Sequence, residues 1–365
     1  MSADEIPYAD EIRRLSATAA ERPLTADEAL ALIFTPDDES FEALLDGAEK
    51  LRRAHRGDEV TLCAIVNAKS GHCGEDCKFC AQSAHYETET PEYAFIGREK
   101  ILEAAHRAKA LGAREFSTVV AGKKIRTTEL EVLKSVIPDI IRETGLAPCG
   151  SLGVVGDDEL AQLREAGMSM FHHNLETAES HYGEVCTTRP YSVNVESVKA
   201  AKRQGMFVCS GGIFGMGETW AQRVELLMLL RDIDVDSVPI NYLNPRPGTP
   251  FAEFRELSSR DALKIIALAR HILPTKQVLV CGGREVNLGD DQKEIFRAGA
   301  SGMMIGDYLT TKGRGATADH AMIEELGLRI RPCESHGHGA VDATRPTPAA
   351  TESVTRVEFV SATAS

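Results

Sequence analysis

Three cysteines close together in the sequence have the side-chain type and spacing that metal chemistry needs. The stretch at residues 67–86 reads NAKSGHCGEDCKFCAQSAHY and contains Cys73, Cys77 and Cys80. No fourth cysteine lies nearby in the sequence. Three thiolates can bind three irons of a cubane [4Fe–4S] cluster and leave the fourth iron open to a ligand from outside the protein. The alternative is a zinc ion that takes His72 or His85 as a distant fourth ligand. The spacing favours the cluster, because a structural zinc site needs four protein ligands.

The composition is that of one large acidic domain. The chain has 365 residues, of which 43% are hydrophobic, and a formal net charge of −14 with a pI near 5.3. Nucleic acid and anionic membranes are therefore poor partners for it. The N-terminal stretch has no apolar signal core and no apolar run approaches the length of a membrane span, which predicts a cytoplasmic protein. Disulfides are rare in that compartment, so the nine cysteines indicate metal binding, redox chemistry, catalysis or simple burial.

Short β-branched runs alternate with helical periodicity along the chain. The strand candidates are residues 60–66, 115–120, 147–152, 168–175, 206–213, 237–243, 277–282 and 302–305. Several helical patterns between them end at a glycine, as helix C-caps often do, at Gly112, Gly167, Gly205 and Gly299. Eight such helix–strand units predict a parallel sheet with right-handed crossovers. We expect an α/β fold in which this sheet closes into a (β/α)8 barrel of the TIM type, rather than an open doubly wound sheet.

The two ends of the chain differ from the repeating units. The predicted segments are an N-terminal helical extension at 1–45, with Thr25 as an N-cap, the barrel at 46–332, and a mostly disordered tail at 333–365. His336 and His338 in the tail could chelate a metal, but a His-x-His pair without a partner usually binds nothing. The reactive groups of a parallel barrel lie on loops after the strands, and the cysteine triad directly follows the first strand.

Several motifs in order give the chain a specific resemblance. Cys-x3-Cys-x2-Cys after the first strand, with Phe79 before the last cysteine, resembles the radical S-adenosylmethionine (SAM) superfamily. Within it, residues 40 to 330 resemble the biotin synthase family through HHNLET, TTRPY, CSGGIFGMGET, SVPINYLNPRPGTP, CGGRE and GDYLTT. The resemblance implies a (β/α)8 barrel, which agrees with the count of strands.

The resemblance also implies an activity and its cofactors. In that family the open iron of the [4Fe–4S] cluster binds SAM, and the reduced cluster cleaves SAM to methionine and a 5′-deoxyadenosyl radical. The radical takes hydrogen atoms from two unactivated carbons of dethiobiotin. A sulfur atom from a second, sacrificial iron–sulfur cluster then bridges these carbons to form biotin. Further implications are an electron donor such as flavodoxin or ferredoxin, and a homodimer.

The SAM contacts follow from the motifs by resemblance. Phe79 would lie by the adenine, and Asn174 and Glu176 would bind the ribose. Arg189 would pair with the methionyl carboxylate, and the backbone at Gly215 and Gly217 would approach SAM closely. The alternatives are a strand-end cap for Asn174, a solvated loop acid for Glu176 and a surface ion pair for Arg189.

The substrate contacts follow in the same way. The residues implied are His172, Asn174 and Asn241 for the ureido ring, and Thr310 and Thr311 for the substrate carboxylate. His172 stands where the more common form of the family has asparagine, and Glu176 where it has aspartate. An imidazole and an amide arrange their donors differently, so the ureido contact at His172 departs from the common form. The two threonines could instead form a helix N-cap.

The second cluster site departs from the common pattern, in which three cysteines and an arginine hold a [2Fe–2S] cluster. Cys149 and Cys209 match two of those cysteines. The third falls on Ser117, a weaker ligand, and the arginine falls on Leu279, which cannot bind iron. Cys281 is two residues beyond Leu279 and shares its face of the strand. We expect Cys149, Cys209 and Cys281 to hold a four-iron cluster whose open iron carries a labile sulfide, with [2Fe–2S], or simple burial of Cys281, as the alternative.

The remaining cysteines and two rival functions complete the set of hypotheses. Cys63 on the first strand is interpreted as core packing, Cys186 lies near Arg189 without a clear role, and Cys333 is in the tail. One rival is another radical SAM enzyme of related barrel type, such as a methyl-transposing mutase or a hydrogenase-cofactor maturase. The other is a non-catalytic iron- or zinc-binding scaffold. Turnover of dethiobiotin would exclude the first rival, and cleavage of SAM would exclude the second.

Overall fold

Strands and helices alternate along the chain, as the sequence predicts. The computed structural model describes residues 7–255 and 257–332. The strands are β1 (Glu59–Lys69), β2 (Glu115–Val120), β3 (Ala147–Ser151), β4 (Met170–His172), β5 (Phe207–Cys209), β6 (Gly212–Phe214), β7 (Ser237–Tyr242), β8 (Gln277–Val280), β9 (Gly302–Met304) and β10 (Arg329–Ile330). The α-helices are α1 (Tyr8–Glu21), α2 (Ala26–Leu32), α3 (Asp38–Arg56), α4 (Arg98–Ala110), α5 (Thr127–Thr144), α6 (Asp157–Glu165), α7 (Glu179–Val185), α8 (Tyr191–Arg203), α9 (Trp220–Asp232), α10 (Ser259–Ile272), α11 (Arg284–Leu288) and α12 (Ala316–Glu325).

The strands form one closed parallel barrel. Each barrel strand pairs with the next in the order β1, β2, β3, β4, β5, β7, β8, β9, and β9 pairs back with β1. β6 continues the line of β5 and also pairs with β7, so these two strands together fill one of eight positions. β10 adds a short parallel pairing at the start of β1. The (β/α)8 barrel predicted from the sequence is confirmed.

The fifth barrel strand is broken where the sequence predicts one continuous strand. Gly211 lies in the break, and a Cβ atom there would stand 2.1 Å from the carbonyl oxygen of Pro239. Pro239 is in β7 and has no N–H to donate to its neighbour, so the ladder is interrupted at this point. β4 is also shorter than the predicted 168–175. Residues beyond it still donate to the broken line, as the N–H of Leu175 does to the carbonyl of Gly211 at 2.9 Å.

The strand register arranges the inward side chains in tiers. Paired residues can be followed from β1 through each neighbouring strand until the path returns to β1. The path returns eight residues away from the residue of β1 where it began. This is the shear of a TIM-type barrel, in which each tier takes one inward side chain from every second strand. One tier consists of Cys63, Cys149, Cys209 and Leu279. Three of its four positions are therefore thiols.

The N-terminal helices pack on the outside of the barrel. α1 and α3 contact each other and α10, and α2 contacts α9. One buried contact brings the Ser16 hydroxyl to 2.9 Å from Nε2 of His271 in α10. The N-cap predicted at Thr25 is confirmed by a capping box, in which Thr25 and Glu28 each accept a hydrogen bond from the other's backbone N–H. α3 runs past residue 45 and leads into β1.

Other predictions concern the ends of elements and of the chain. The four glycines predicted to follow helices all have positive φ, as helix C-caps require. Within residues 7–255 and 257–332, no helix is both long and apolar enough to cross a bilayer. The predicted tail, with Cys333, His336 and His338, lies outside the described residues.

Candidate functional site

A cavity of about 340 Å³ lies at the carboxyl ends of the barrel strands. The residues singled out from the sequence that line it are Phe79, Cys80, Ser117, Cys149, His172, Asn174, Glu176, Asn241, Leu279, Cys281, Thr310 and Thr311. Six other residues singled out from the sequence do not line it: Cys73, Cys77, Arg189, Cys209, Gly215 and Gly217. The barrel thus gathers residues from distant parts of the sequence around one space.

The cysteine loop follows β1 and folds back on itself. The N–H of Cys73 donates to the carbonyl of Gln82 at 3.0 Å, and the N–H of Ala84 donates to the carbonyl of Cys73 at 2.7 Å. The N–H of Cys80 donates to the carbonyl of Cys77 at 2.9 Å. None of the three cysteines is in a disulfide, and Cys77 is buried while Cys80 lines the cavity. The loop therefore holds three free thiols in one compact turn.

The cysteine loop is fixed to the segment that carries Arg189. The carboxylate of Asp76 accepts from the N–H groups of Thr187 at 2.8 Å and Thr188 at 3.1 Å. These bonds keep the thiols and the guanidinium in a fixed relation. Cys186 belongs to the same segment, and its buried thiol contacts the middle thiol of the triad.

The two histidines considered as zinc ligands bond to other groups. Nε2 of His72 lies 2.9 Å from the carboxylate of Glu92, and Nε2 of His85 lies 3.2 Å from the carbonyl of Gly74. In the described part of the chain, no three His, Cys, Asp or Glu side chains lie close enough together to hold a single metal ion. The thiolates of a four-iron cluster bind separate irons and need not converge in that way.

Glu176 is a buried acid in an unusual backbone conformation. Its φ is 70°, in the left-handed region that glutamate seldom adopts. Burial raises the pKa of its carboxyl to about 7, against the opposing effect of the Arg189 guanidinium. Its Oε2 atom is buried and has no hydrogen-bond partner among the described residues. Glu176 is therefore not a solvated loop acid, and its free oxygen is placed to accept a hydrogen bond from a bound ligand.

Arg189 is also buried and is not part of a surface ion pair. Only 8% of the residue is exposed. Its Nε lies 3.4 Å from the hydroxyl of Tyr182, which accepts a second hydrogen bond from Nδ2 of Asn194 at 3.0 Å. These contacts orient a guanidinium whose charge faces the carboxyl of Glu176.

Polar side chains line the middle of the cavity. Oδ1 of Asn174 accepts from the N–H of Gly211 at 3.2 Å, so Asn174 caps the neighbouring strand and lines the cavity at the same time. Oδ1 of Asn241 accepts from the N–H of Gly282 at 3.1 Å. Burial lowers the pKa of His172 to about 4, which keeps its imidazole neutral at neutral pH.

The GMG segment forms a tight turn behind the cavity wall. Gly215 and Gly217 have φ values of 93° and 89°, which other residues rarely adopt. The carboxylate of Glu218 accepts from the N–H groups of Gly215 at 2.9 Å and Met216 at 2.7 Å, and from Nε of Arg223 at 2.8 Å. The close approach of the two glycines to SAM stays a prediction.

The loop with Thr310 and Thr311 forms another wall of the cavity. The two threonines lie in a bend of this loop and not at the start of α12, whose N-cap is Gly315, so the N-cap alternative is wrong. The hydroxyl of Tyr308, in the same loop, accepts from Nε of Arg284 at 3.2 Å. Arg284 is buried and so fixes this wall to the barrel.

Replacement of Arg284 by alanine should destabilise the protein strongly. The guanidinium lies 2.7 Å from the carboxylate of Asp319, and both side chains are 1% exposed. Loss of the cation leaves a buried, unpaired acid, which costs about 3–5 kcal/mol. Urea unfolding followed by circular dichroism would measure the change in the free energy of unfolding. The exposed Arg164→Ala should change it by less than about 0.5 kcal/mol, and equal effects of the two substitutions would contradict the role given to Arg284.

The floor of the cavity carries four cysteines rather than three. Cys149 and Cys281 line the cavity, and Cys209 packs against Cys281 and Leu279. Cys63 lines the cavity too and packs against the same group, which includes Cys281. The interpretation of Cys63 as core packing agrees with its place in this group, and the structure adds that Cys63 also lines the cavity. Its neighbours could not be predicted from the sequence, because closure of the barrel brings them together.

The cavity floor suits a soft metal centre. Burial raises the pKa of the Cys149 thiol to about 12, although the Ser117 hydroxyl beside it acts in the opposite sense. Burial likewise raises the pKa of Cys209. Without a positive charge nearby these thiols stay protonated, and iron would supply that charge. Thiolates are the ligands that iron–sulfur clusters use.

Comparisons with known proteins agree with this geometry. Residues 68–230 match the radical SAM superfamily, and residues 239–329 match the Biotin and Thiamin Synthesis associated domain. Over 329 residues the chain is 47% identical to a biotin synthase from Anaeromyxobacter sp. (strain K), which covers 90% of this chain and 91% of the relative. Over 291 residues it is 49% identical to a biotin synthase from Syntrophotalea carbinolica, which covers 80% and 89%.

Solved structures share the barrel at low sequence identity. Methylornithine synthase matches with a TM-score of 0.76 and 21% identity, over 87% of this chain and 98% of that one. A maturase of the FeFe-hydrogenase from Carboxydothermus hydrogenoformans matches with a TM-score of 0.76 and 17% identity, over 92% and 81%. At these identities the likeness shows a common fold.

Proposed function

The chain belongs to the biotin synthase family within the radical SAM superfamily, and from this premise we propose that it converts dethiobiotin to biotin. The observation that carries the proposal is the position of two sets of thiols around one cavity. Cys80 lines the cavity on the loop after β1, and Cys149 and Cys281 line it from inside the barrel. A substrate between the two sets would have a radical source on one side and a sulfur source on the other. A structural metal scaffold needs no such cavity.

The cysteine loop and its neighbours are proposed to bind the SAM cluster and SAM. The proposed cluster ligands are Cys73, Cys77 and Cys80. When bound, the [4Fe–4S] cluster and SAM supply the 5′-deoxyadenosyl radical that strong, non-acidic C–H bonds require. The chain's own part is to orient SAM. The guanidinium of Arg189 suits the methionyl carboxylate, Asn174 and Glu176 suit the ribose hydroxyls, and Phe79 suits the adenine.

Glu176→Gln should weaken SAM binding by about 10- to 100-fold. A carboxylate can accept from two hydroxyls, and a hydrogen bond to a charged group contributes about 1.5–3 kcal/mol. Glutamine keeps the shape of the side chain but places a donor where one acceptor was. Calorimetric titration of the reconstituted protein with SAM would measure the loss.

A matched control and the pH dependence test the same role for Glu176. Glu184→Gln, at an exposed position of α7, should bind SAM as the wild type does. Burial holds the pKa of Glu176 near 7, so its carboxylate form is lost as the pH falls through that value. Wild-type SAM affinity should therefore fall between about pH 8 and pH 6, while that of Glu176→Gln changes less. Equal affinities of variant and wild type would remove Glu176 from the SAM site.

Dethiobiotin is proposed to bind in the cavity between the two sets of thiols. An uncharged ureido ring suits the neutral imidazole of His172 and the amides of Asn174 and Asn241, which together offer donors and acceptors. The hydroxyls of Thr310 and Thr311 would bind the substrate carboxylate. Because the wall that carries them is fixed through Arg284, the carboxylate end would be held at a set distance from the ring.

The cavity floor is proposed to hold the auxiliary cluster, on Cys149, Cys209 and Cys281. The chemistry of that cluster would be to supply the sulfur atom of the product. Three thiolates from three different strands suit a four-iron cluster better than a [2Fe–2S] unit, because Leu279 stands at the arginine position. Ser117 remains a weaker candidate ligand, since its hydroxyl lies beside the thiol of Cys149.

Turnover of dethiobiotin tests the proposed function. Anaerobically reconstituted protein, given SAM and an electron donor of the flavodoxin or ferredoxin class, should form biotin and 5′-deoxyadenosine. Cleavage of SAM without biotin would contradict the substrate and favour a mutase or maturase. Absence of cleavage would favour a metal-binding scaffold. A homodimer is proposed on the resemblance, and light scattering on the same sample would measure the mass.

A further inference from the structure

Cys63 faces the barrel interior but has no task in the proposed function. It lies in β1, lines the cavity and packs against Cys209, Leu279 and Cys281. Its side chain and that of Cys281 are neighbours in this group. A cysteine that only fills space needs no thiol as its partner. Cys63 instead packs against two of the cysteines that are proposed to bind iron, Cys209 and Cys281.

The strand register places four thiols around the barrel axis. Cys63, Cys149 and Cys209 share one tier, and Cys281 lies one tier above, two residues after Leu279. The four cysteines belong to β1, β3, β5 and the end of β8, which are alternate positions in the ring of strands. Side chains from alternate strands meet inside a closed barrel. The four thiols therefore approach the same space from four sides.

The proposed triad leaves one side of that space without a ligand. A four-iron cluster on Cys149, Cys209 and Cys281 has one iron that no protein thiolate binds. The open iron of the cysteine loop has SAM to bind, whereas the cavity floor is enclosed by strands. The unoccupied side faces β1, and the thiol that β1 presents there is Cys63.

We propose that Cys63 is the fourth thiolate ligand of the auxiliary cluster and binds the iron that the other three leave open. This rests on the proposed function, because it assumes an auxiliary cluster at the cavity floor. It replaces the labile sulfide expected on that iron, so the sulfur available to the product is a bridging sulfide of the cluster core. It also removes the need for Ser117 as a ligand.

The test uses the full chain with Cys73→Ala, Cys77→Ala and Cys80→Ala, so that only the auxiliary cluster can form. After anaerobic reconstitution, this parent should hold about four irons per chain. Further substitution of Cys63→Ala should release one of them and give, after oxidation, the EPR signal of a three-iron cluster. Cys63→Ser should retain more of the fourth iron, since an alkoxide is a weaker ligand but still a ligand.

The controls separate the inference from the function on which it rests. Cys186→Ala in the same parent removes a buried thiol outside the barrel floor, and about four irons should remain. Circular dichroism would verify that each variant folds. If Cys63→Ala keeps all the iron of the parent and shows no three-iron signal, Cys63 is not a ligand. If the parent itself binds no iron, the auxiliary site and the proposed sulfur source fail instead.

Discussion

Replacement of Cys281 by alanine should end biotin formation and leave SAM cleavage intact. Cys281 is 2% exposed and contacts Cys63 at the cavity floor. Loss of its thiolate should lower the iron content from about eight per chain to between about seven and four, as the auxiliary cluster loses one iron or is lost entirely. The yield of biotin should fall by more than about 100-fold, beyond the usual loss for a partner that only supports a metal ligand.

The measurement for Cys281→Ala is a Mössbauer spectrum with iron and sulfide counted on the same sample. Biotin and 5′-deoxyadenosine would be assayed in parallel. Val280→Ala is the matched control, because it removes a buried side chain from the opposite face of the same strand. It should keep the iron of the wild type. Wild-type iron content and biotin yield in Cys281→Ala would mean that Cys281 only packs, and that Cys149 and Cys209 use another ligand such as Ser117.

Replacement of Cys77 by alanine should abolish SAM cleavage and leave the auxiliary iron in place. The cysteine loop offers three thiols, and a cluster with two ligands should not stay bound. Production of 5′-deoxyadenosine should fall below detection, because enzymes commonly accelerate reactions by about 10⁶-fold or more over the background. About four irons per chain should remain, from the auxiliary site. Chromatography of the reaction mixture and iron analysis would measure both.

A control within the same loop makes the Cys77→Ala result specific. Lys78→Ala alters the neighbouring side chain and leaves every thiol in place. It should cleave SAM at a rate close to that of the wild type. Persistent SAM cleavage in Cys77→Ala would contradict the assignment of the triad to the SAM cluster.

The barrel and the cysteine triad could be predicted because both depend on patterns within short stretches of the sequence. Helical periodicity, terminal glycines and β-branched runs recur within short windows, and the three thiols lie in one loop. The break after Cys209 could not be predicted in that way. It arises where Gly211 meets the carbonyl of Pro239, a contact between strands that are distant in sequence.

The resemblance identified the polar residues of the site but not their environment. Glu176 and Arg189 were singled out from short motifs, whereas their burial depends on the tertiary packing around them. The raised pKa of Glu176 follows from that burial and so has no local signature. The position of Cys63 beside Cys281 has no local signature either. It exists only because the last barrel strands close against the first.

The origin of the sulfur atom in biotin tests the central claim most directly. The protein would be reconstituted with iron and isotopically heavy sulfide, freed of unbound sulfide, and given dethiobiotin, SAM and an electron donor. Mass spectrometry would then read the sulfur of the product. A cluster that supplies sulfur from the cavity floor predicts heavy sulfur in nearly every biotin formed. Biotin that carries ordinary sulfur, or SAM cleavage without biotin, would contradict the claim.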